Sequence, residues 1–239
     1  LIPINNKDRR GQKMTNITSV ALRCVSIIGL LLFSTPSLFS QTPAAQSIFD
    51  QMLDVLTPEN SRGLMTQTIH TSSGQKRTFE FEMYVALKGE KTLMRYLKPV
   101  SVKGDAFLML NHADDIWAYF RRTRRVRKLA SHAKKQKVQG SDFTYEDLGS
   151  GDVWREDYVP KLSGEETLDG ASCWILQLGG KQEEKPTYSQ LVILVRQSDY
   201  CPLRIKYFEN DENVKTLYMR NIEVIEGIPT PMFMLMENH

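Results

Sequence analysis

Thr78-Phe79-Glu80-Phe81-Glu82-Met83-Tyr84-Val85-Ala86-Leu87 decides the fold class. Phe79, Phe81, Met83, Val85 and Leu87 alternate with Thr78, Glu80, Glu82 and Tyr84. A period of two means a strand with one dry face and one wet face. The same rhythm recurs at 93–97, 106–110, 116–120, 172–178, 188–195, 203–208, 214–219 and 228–235. Between these runs stand turn-forming groups: Lys88-Gly89-Glu90, Asn111-His112-Ala113-Asp114, Leu168-Asp169-Gly170 and Glu209-Asn210-Asp211-Glu212-Asn213. Short links between successive strands imply a meander, and the absence of strand–helix alternation argues against a parallel sheet. The sequence therefore predicts one antiparallel sheet.

One helix is predicted at the start of this body. Ile48, Phe49, Met52, Leu53, Val55 and Leu56 follow three-to-four spacing, and Thr57-Pro58 ends the run. The rhythm breaks between Arg121 and Pro160. There Arg121, Arg122, Arg124, Arg125, Arg127, Lys128, Lys134, Lys135 and Lys137 form a basic block, followed by the acidic Asp142, Glu146, Asp147, Asp152, Glu156 and Asp157. This reads as a long polar insertion with a short helix over 143–148, capped by Asp142 and stopped by Gly149. Loops of this length in compact sheet proteins are commonly functional or disordered. The basic block admits three readings: a solvated loop balanced by the acidic segment, a dock for anionic headgroups or an acidic partner protein, or a nucleic-acid contact, which an exported protein disfavours.

The first forty residues differ in kind. Met14 opens a polar stretch, and an unbroken apolar run from Cys24 to Phe33 leads to Ser34, Thr35, Pro36, Ser37 and Ser40. This is the layout of a signal peptide over residues 14–40, and the run is too short to span a bilayer. Residues 1–13 read as an untranslated or non-native upstream segment. A soluble, exported domain over 41–239 is the expectation, and the ending in an apolar strand at His239 suggests further strands beyond it. The whole chain carries a formal +3, with 31 basic and 28 acidic residues. Without the first forty residues the balance is −1, which excludes a generally basic nucleic-acid binder.

Chemistry-bearing motifs are missing. There is no G-x-S-x-G elbow, Gly-rich phosphate loop, H-E-x-x-H or Cys-x-x-Cys, and His70, His112 and His132 are not at metal-ligand spacing. Glu146 with Asp147 and Asp114 with Asp115 read as helix-start or turn acids on a polar surface, not acid–base pairs. No catalytic residue, cofactor or metal is expected, and the protein is not expected to be an enzyme. Trp117, Tyr119, Phe120, Trp154 and Trp174 read as core or rim packing. Cys173 and Cys201 fall on strands with another strand between them, so in chain order both would be buried thiols, because two interstrand steps of about 4.8 Å exceed disulfide reach.

Four strings point further: Lys103-Gly104-Asp105-Ala106-Phe107-Leu108, Asp115-Ile116-Trp117-Ala118-Tyr119-Phe120, Arg124-Arg125-Val126-Arg127-Lys128-Leu129 and Gly140-Ser141-Asp142-Phe143-Thr144-Tyr145-Glu146-Asp147-Leu148. Over about residues 46–239 they resemble the outer-membrane lipoprotein-sorting-like family, whose members share the fold of the periplasmic carriers LolA and LolB. The resemblance implies a single LolA-like domain, mainly β, truncated at its C-terminus: a curved, open antiparallel half-barrel with helices over its concave face and a greasy cavity between. One departure is Arg121, where the family tends to carry proline. The resemblance also implies a periplasmic carrier or binding protein for lipidated or lipid-like cargo, with lipid or lipoprotein acyl chains as partners. An anionic membrane surface or an inner-membrane transporter is the further partner it allows, and no nucleic acid.

A carrier must offer apolar surface, because each buried methylene is favoured by about 0.8 kcal/mol, and must release its cargo from soft walls. Cavity candidates are Phe79, Phe81, Met83, Met94, Tyr96, Phe107, Met109, Leu217, Met219, Met232 and Met234. Phe49, Met52 and Leu53 are candidates for a lid, and Arg124, Arg125, Arg127, Lys128, Lys134 and Lys135 for a docking loop. The same wall residues serve equally as core. The alternative function is a non-catalytic partner or sensor subunit of an inner-membrane transporter, using the fold without transferring cargo.

Overall fold

The structure, a computed structural model, describes residues 43–149, 151–184 and 186–239. The expected signal peptide and upstream segment lie outside the described residues. The body opens with α1 (Ala45–Leu56) and continues through β1 (Asn60–His70), β2 (Lys76–Ala86), β3 (Lys91–Lys98), β4 (Ala106–Leu110), β5 (Asp115–Phe120) and β6 (Arg125–Lys128). A segment of 3-10 turns and two short helices, α2 (Tyr145–Gly149) and α3 (Trp154–Asp157), follows. Then come β7 (Tyr158–Leu168), β8 (Ala171–Gly180), β9 (Gln190–Arg196), β10 (Pro202–Glu209), β11 (Glu212–Ile225) and β12 (Ile228–Asn238).

The strands form two six-stranded antiparallel sheets, β1 to β6 and β7 to β12, each in chain order. The fold class stands: mainly β, open sheets and few helices. The single sheet predicted from the meander is corrected to two, because β6 and β7 do not pair and the segment between them crosses from one sheet to the other. Neither sheet closes on itself. Register shifts at Glu80/Phe81, Leu162/Gly164, Pro202/Arg204 and Tyr207/Phe208 place bulges in the strands, which sharpen local bend and twist.

Each sheet buries one face. On the first, Phe79, Phe81, Met94, Tyr96, Phe107, Met109, Ile116 and Ala118 form a core with Val138 and Tyr145 from the connecting segment. Tyr96 sits at its centre, edge-on to Phe79 and Phe107. On the second, Leu176, Leu178, Leu191, Ile193, Ile205 and Leu217 pack against Ile48, Phe49, Met52 and Leu53 of α1. These four α1 residues are fully buried. No side chain caps the α1 N-terminus. A twelve-residue helix is marginal alone, so packing against the sheet holds it.

Three strands lie where none was predicted: β1, β6 and β7. The stretch read as one long insertion therefore begins with a hairpin strand and ends as a sheet edge. The short helix runs over Tyr145–Gly149, and its cap is Thr144 instead of Asp142. The Asp147 N–H donates to Thr144 Oγ1 (3.1 Å), and the Thr144 N–H donates to Asp147 Oδ2 (2.7 Å), a reciprocal capping box. Asp142 instead takes a hydrogen bond from Lys137 Nζ (2.8 Å). Arg121 begins the turn after β5. Its backbone N–H donates to Asp105 Oδ1 (2.9 Å), a bond proline has no hydrogen to make.

Candidate functional site

The wall candidates do not line one cavity. Phe79, Phe81, Met94, Tyr96, Phe107 and Met109 share the first-sheet core, with Met83 at its margin. Leu217 and Met219 belong to the second-sheet core under α1. Met234 pairs with Met219 across β11 and β12, yet Met232 and Met234 remain 56% and 40% exposed. The expectation of one open greasy cavity is thus corrected to two apolar walls, each with its own cover. Phe49, Met52 and Leu53, the lid candidates, fill the second wall as core. The docking-loop candidates separate as well. Arg124 lies in the β5–β6 turn, and Arg125, Arg127 and Lys128 lie on β6. Lys134 and Lys135 sit on the next 3-10 turn, where Lys134 Nζ reaches Asp114 Oδ1 (2.7 Å).

The segment between the sheets does what sequence reasoning missed. Its helix α2 presents Tyr145 and Leu148 to the first-sheet core. The next side chain, Asp147, meets Lys215 of β11 at 2.5 Å, with side-chain exposures of only 4% and 5%. Lys215 Nζ lies 4.7 Å from the Tyr188 ring and 4.8 Å from the Tyr207 ring, and the Tyr188 hydroxyl donates to Asp147 Oδ1 (3.4 Å). The Tyr158 hydroxyl donates to the Tyr188 carbonyl (3.1 Å). An ammonium this dry needs both its carboxylate and the negative ring faces. Burial, and then the Asp147 charge, hold the Tyr188 and Tyr207 phenols far above their ordinary range. Asp147 is therefore no surface acid, which corrects the sequence reading. The signal was present in β11: Lys215 stands two and four residues before the inward Leu217 and Met219, so alternation points it inward.

Above this pair lies a cleft of about 330 Å³. Lys137, Asp142, Thr144, Glu146, Thr187 and Asn238 are among its lining residues, and the Thr187 hydroxyl donates to Glu146 Oε2 (2.7 Å). The cleft is polar and of mixed charge, a poor seat for an acyl chain. Beside it, burial first and then the charges of Glu146 and Glu184 raise the carboxyl of half-buried Asp157, with Lys134 opposing. For an acid raised on folding, the charged form disfavours the native state, so the penalty is present at neutral pH and disappears once the group is protonated in both states. Asp157→Asn should raise stability at pH 7 by well under about 1 kcal/mol after solvent screening. Urea titrations of the variant and parent should converge as the pH falls into the acid range.

Close backbone approaches lock the segment in place. A Cβ on Gly151, at φ +50°, would lie 2.5 Å from the Lys88 carbonyl oxygen in the β2–β3 turn. Arg155 of α3 fastens α1: its Nη2 donates to Asp54 Oδ1 (2.8 Å) and to the Asp50 carbonyl (3.1 Å), its Nη1 pairs with Asp50, and its Nε donates to Asp152 (2.7 Å). Cys173 and Cys201 are free and buried in one small cluster, as the strand order implied, and burial pushes the Cys201 thiol up to about 11. Among the described residues, no three His, Cys, Asp or Glu side chains group to hold a metal ion, and no helix is long and apolar enough to cross a membrane.

A family model described as "Uncharacterized protein" matches residues 88–239, more than half of the chain. The chain belongs to that family. A DUF1329 family protein from Desulfovibrio piger is 29% identical, with a TM-score of 0.72 over 82% of this chain and 87% of its own. A putative outer membrane lipoprotein-sorting protein domain from Vibrio parahaemolyticus is 24% identical, with a TM-score of 0.72 over 82% and 85%. A LolA superfamily protein from Nitrosomonas europaea is 20% identical, with a TM-score of 0.63 over 82% and 86%. No curated protein matches the sequence. The fold is LolA-like, in agreement with the resemblance carried by the Gly140–Leu148 string.

Proposed function

We propose that the protein is an exported, non-catalytic carrier of lipid-like cargo, in the periplasm, that takes up an acyl chain where α1 now lies. The observation that supports this is the nature of the α1 seat. A broad aliphatic wall on the second sheet is covered by one uncapped helix, tied at its side by Arg155 and by the Lys88–Asp54 ion pair (3.6 Å). Displacing four buried side chains costs apolar burial, and an incoming acyl chain returns it at about 0.8 kcal/mol per methylene. Exchange of one greasy occupant for another is then nearly balanced, which is what a carrier that must release its load requires.

A second reading, a partner or sensor subunit of an inner-membrane machine, is favoured by the polarity of the 330 Å³ cleft and by the filled walls. Native mass spectrometry of the gently extracted full-length protein separates the two. Co-purifying lipid, increased by Asp50→Ala with Asp54→Ala, is the carrier result. Repeated lipid-free protein in a stable complex sinks the carrier reading in favour of the second. A hydrolytic activity abolished by Glu146→Gln would overturn both.

A further inference from the structure

The outer face of the first sheet carries a continuous cross-strand row. Register places Arg62 beside Tyr84, Tyr84 beside Leu93, Leu93 beside Leu108, Leu108 beside Trp117, and Trp117 beside Lys128. Five interstrand steps of about 4.8 Å make the row roughly 24 Å long. Leu108 and Trp117 are 36% and 38% exposed, and Val126 on the neighbouring row is 61% exposed. A cation lies over the aromatic ring at each end: Arg62 is 5.2 Å from the Tyr84 centroid, and Lys128 is 5.8 Å from that of Trp117.

Charge over the first sheet and its turns is one-sided. Residues 60–128 hold fourteen Lys and Arg against six Asp and Glu, a net +8, whereas residues 158–239 carry −4. The acids on the face are already engaged: Glu82 by Arg62 and Arg95, Glu80 by Lys98, Asp115 by Lys128. Exposed Arg122 and Arg124 line the adjoining turn, whereas Arg125 and Arg127, opposite Phe120 and the buried Ala118, alternate to the other face of the β6 edge. Aromatic rings flanked by Lys and Arg suit the boundary between headgroups and acyl chains. A cross-strand row of rings and aliphatic side chains fits a lipid surface, which offers no shape to match, better than a folded acidic partner.

We propose that this outer face docks the protein on an anionic phospholipid surface, with Trp117 and Leu108 entering the headgroup layer and the β5–β6 arginines supplying the attraction. The proposal goes beyond cargo carriage and holds whether or not a lipid is carried, since cargo would seat on the second sheet, under α1. The test uses the full-length protein with vesicles of phosphatidylglycerol and phosphatidylcholine in equal amounts, against pure phosphatidylcholine. Binding to the anionic vesicles should exceed binding to the neutral ones at least tenfold, since each Lys or Arg at such a surface contributes about fivefold, and it should weaken with salt. Trp117 emission should shift to the blue on binding, and the shift should vanish in Trp117→Phe. Leu108→Ser with Trp117→Ser should cut binding severalfold, and so should Arg122→Gln with Arg124→Gln. All four positions are exposed, and an unchanged urea midpoint checks the fold. Equal binding to both vesicle types, or anionic binding indifferent to Leu108→Ser with Trp117→Ser, would overturn the proposal. A free acidic peptide that is bound as tightly as the vesicles without a Trp117 shift would do so as well.

Discussion

Lys215→Met is expected to destabilise the protein by about 3–5 kcal/mol, the usual cost of leaving one member of a buried ion pair without its partner. The substitution keeps much of the aliphatic stem and removes only the ammonium, so packing in β11 changes little. Asp147 is then left dry beside Tyr188 and Tyr207, with only the Thr144 N–H and the distant Tyr188 hydroxyl facing it. Loss of the ammonium also forfeits its contact with two ring faces. Asp147→Asn, placed on the same background, keeps an oxygen for the Thr144 N–H and removes the stranded charge. The double variant should recover more than half of the loss. Urea denaturation with an unchanged m-value is the measurement. A single-variant loss below about 1 kcal/mol would mean that water reaches the pair.

Much of the fold was legible in the sequence, and the gaps share one cause. Strands β4 and β5 emerge almost to the residue because each has a strand on both sides, and their inner positions, Phe107, Met109, Ile116 and Ala118, are apolar. The missed β1, β6 and β7 are all sheet edges. An edge strand has a partner on one side only and tends toward charge and polarity, which erases the alternation. In β6 all four residues, Arg125 to Lys128, are exposed, so no apolar period exists to find. In β7 the inward positions after Leu162 pass through Gly164 and Glu166. Without those edges, the remaining nine strands read as one meander, and the passage of the chain between sheets is invisible. The candidate site failed for a different reason. Apolar identity names a wall residue but not what covers it, so Phe79 and Leu217 read alike although they belong to different cores. Asp147 reads as a surface acid because its acidic neighbours suggest solvent. Only Lys215, an inward charge on an apolar strand face, implied that an acid must be buried to meet it.

Phe49→Ala should lower stability by about 3–5 kcal/mol if α1 and the second sheet unfold together, since it opens a large cavity in a fully buried site. The alternative outcome is more informative for the carrier reading. Should α1 detach on its own, the variant would retain most of its global stability, while amides of Ala45–Leu56 would exchange far faster than those of β8 and β9. The bonds from Arg155 to Asp50 and Asp54 hold the side of the helix, not its apolar face, so they cannot replace the lost ring. A detached helix leaves Leu176, Leu191 and Ile193 open, and that bare wall should bind a fluorescent fatty acid more tightly than the parent does. Hydrogen exchange and fatty-acid binding read the two quantities separately. Fast exchange without any gain in fatty-acid binding would mean that the wall under α1 is a core and nothing more, and the acyl chain would have to be sought elsewhere or given up.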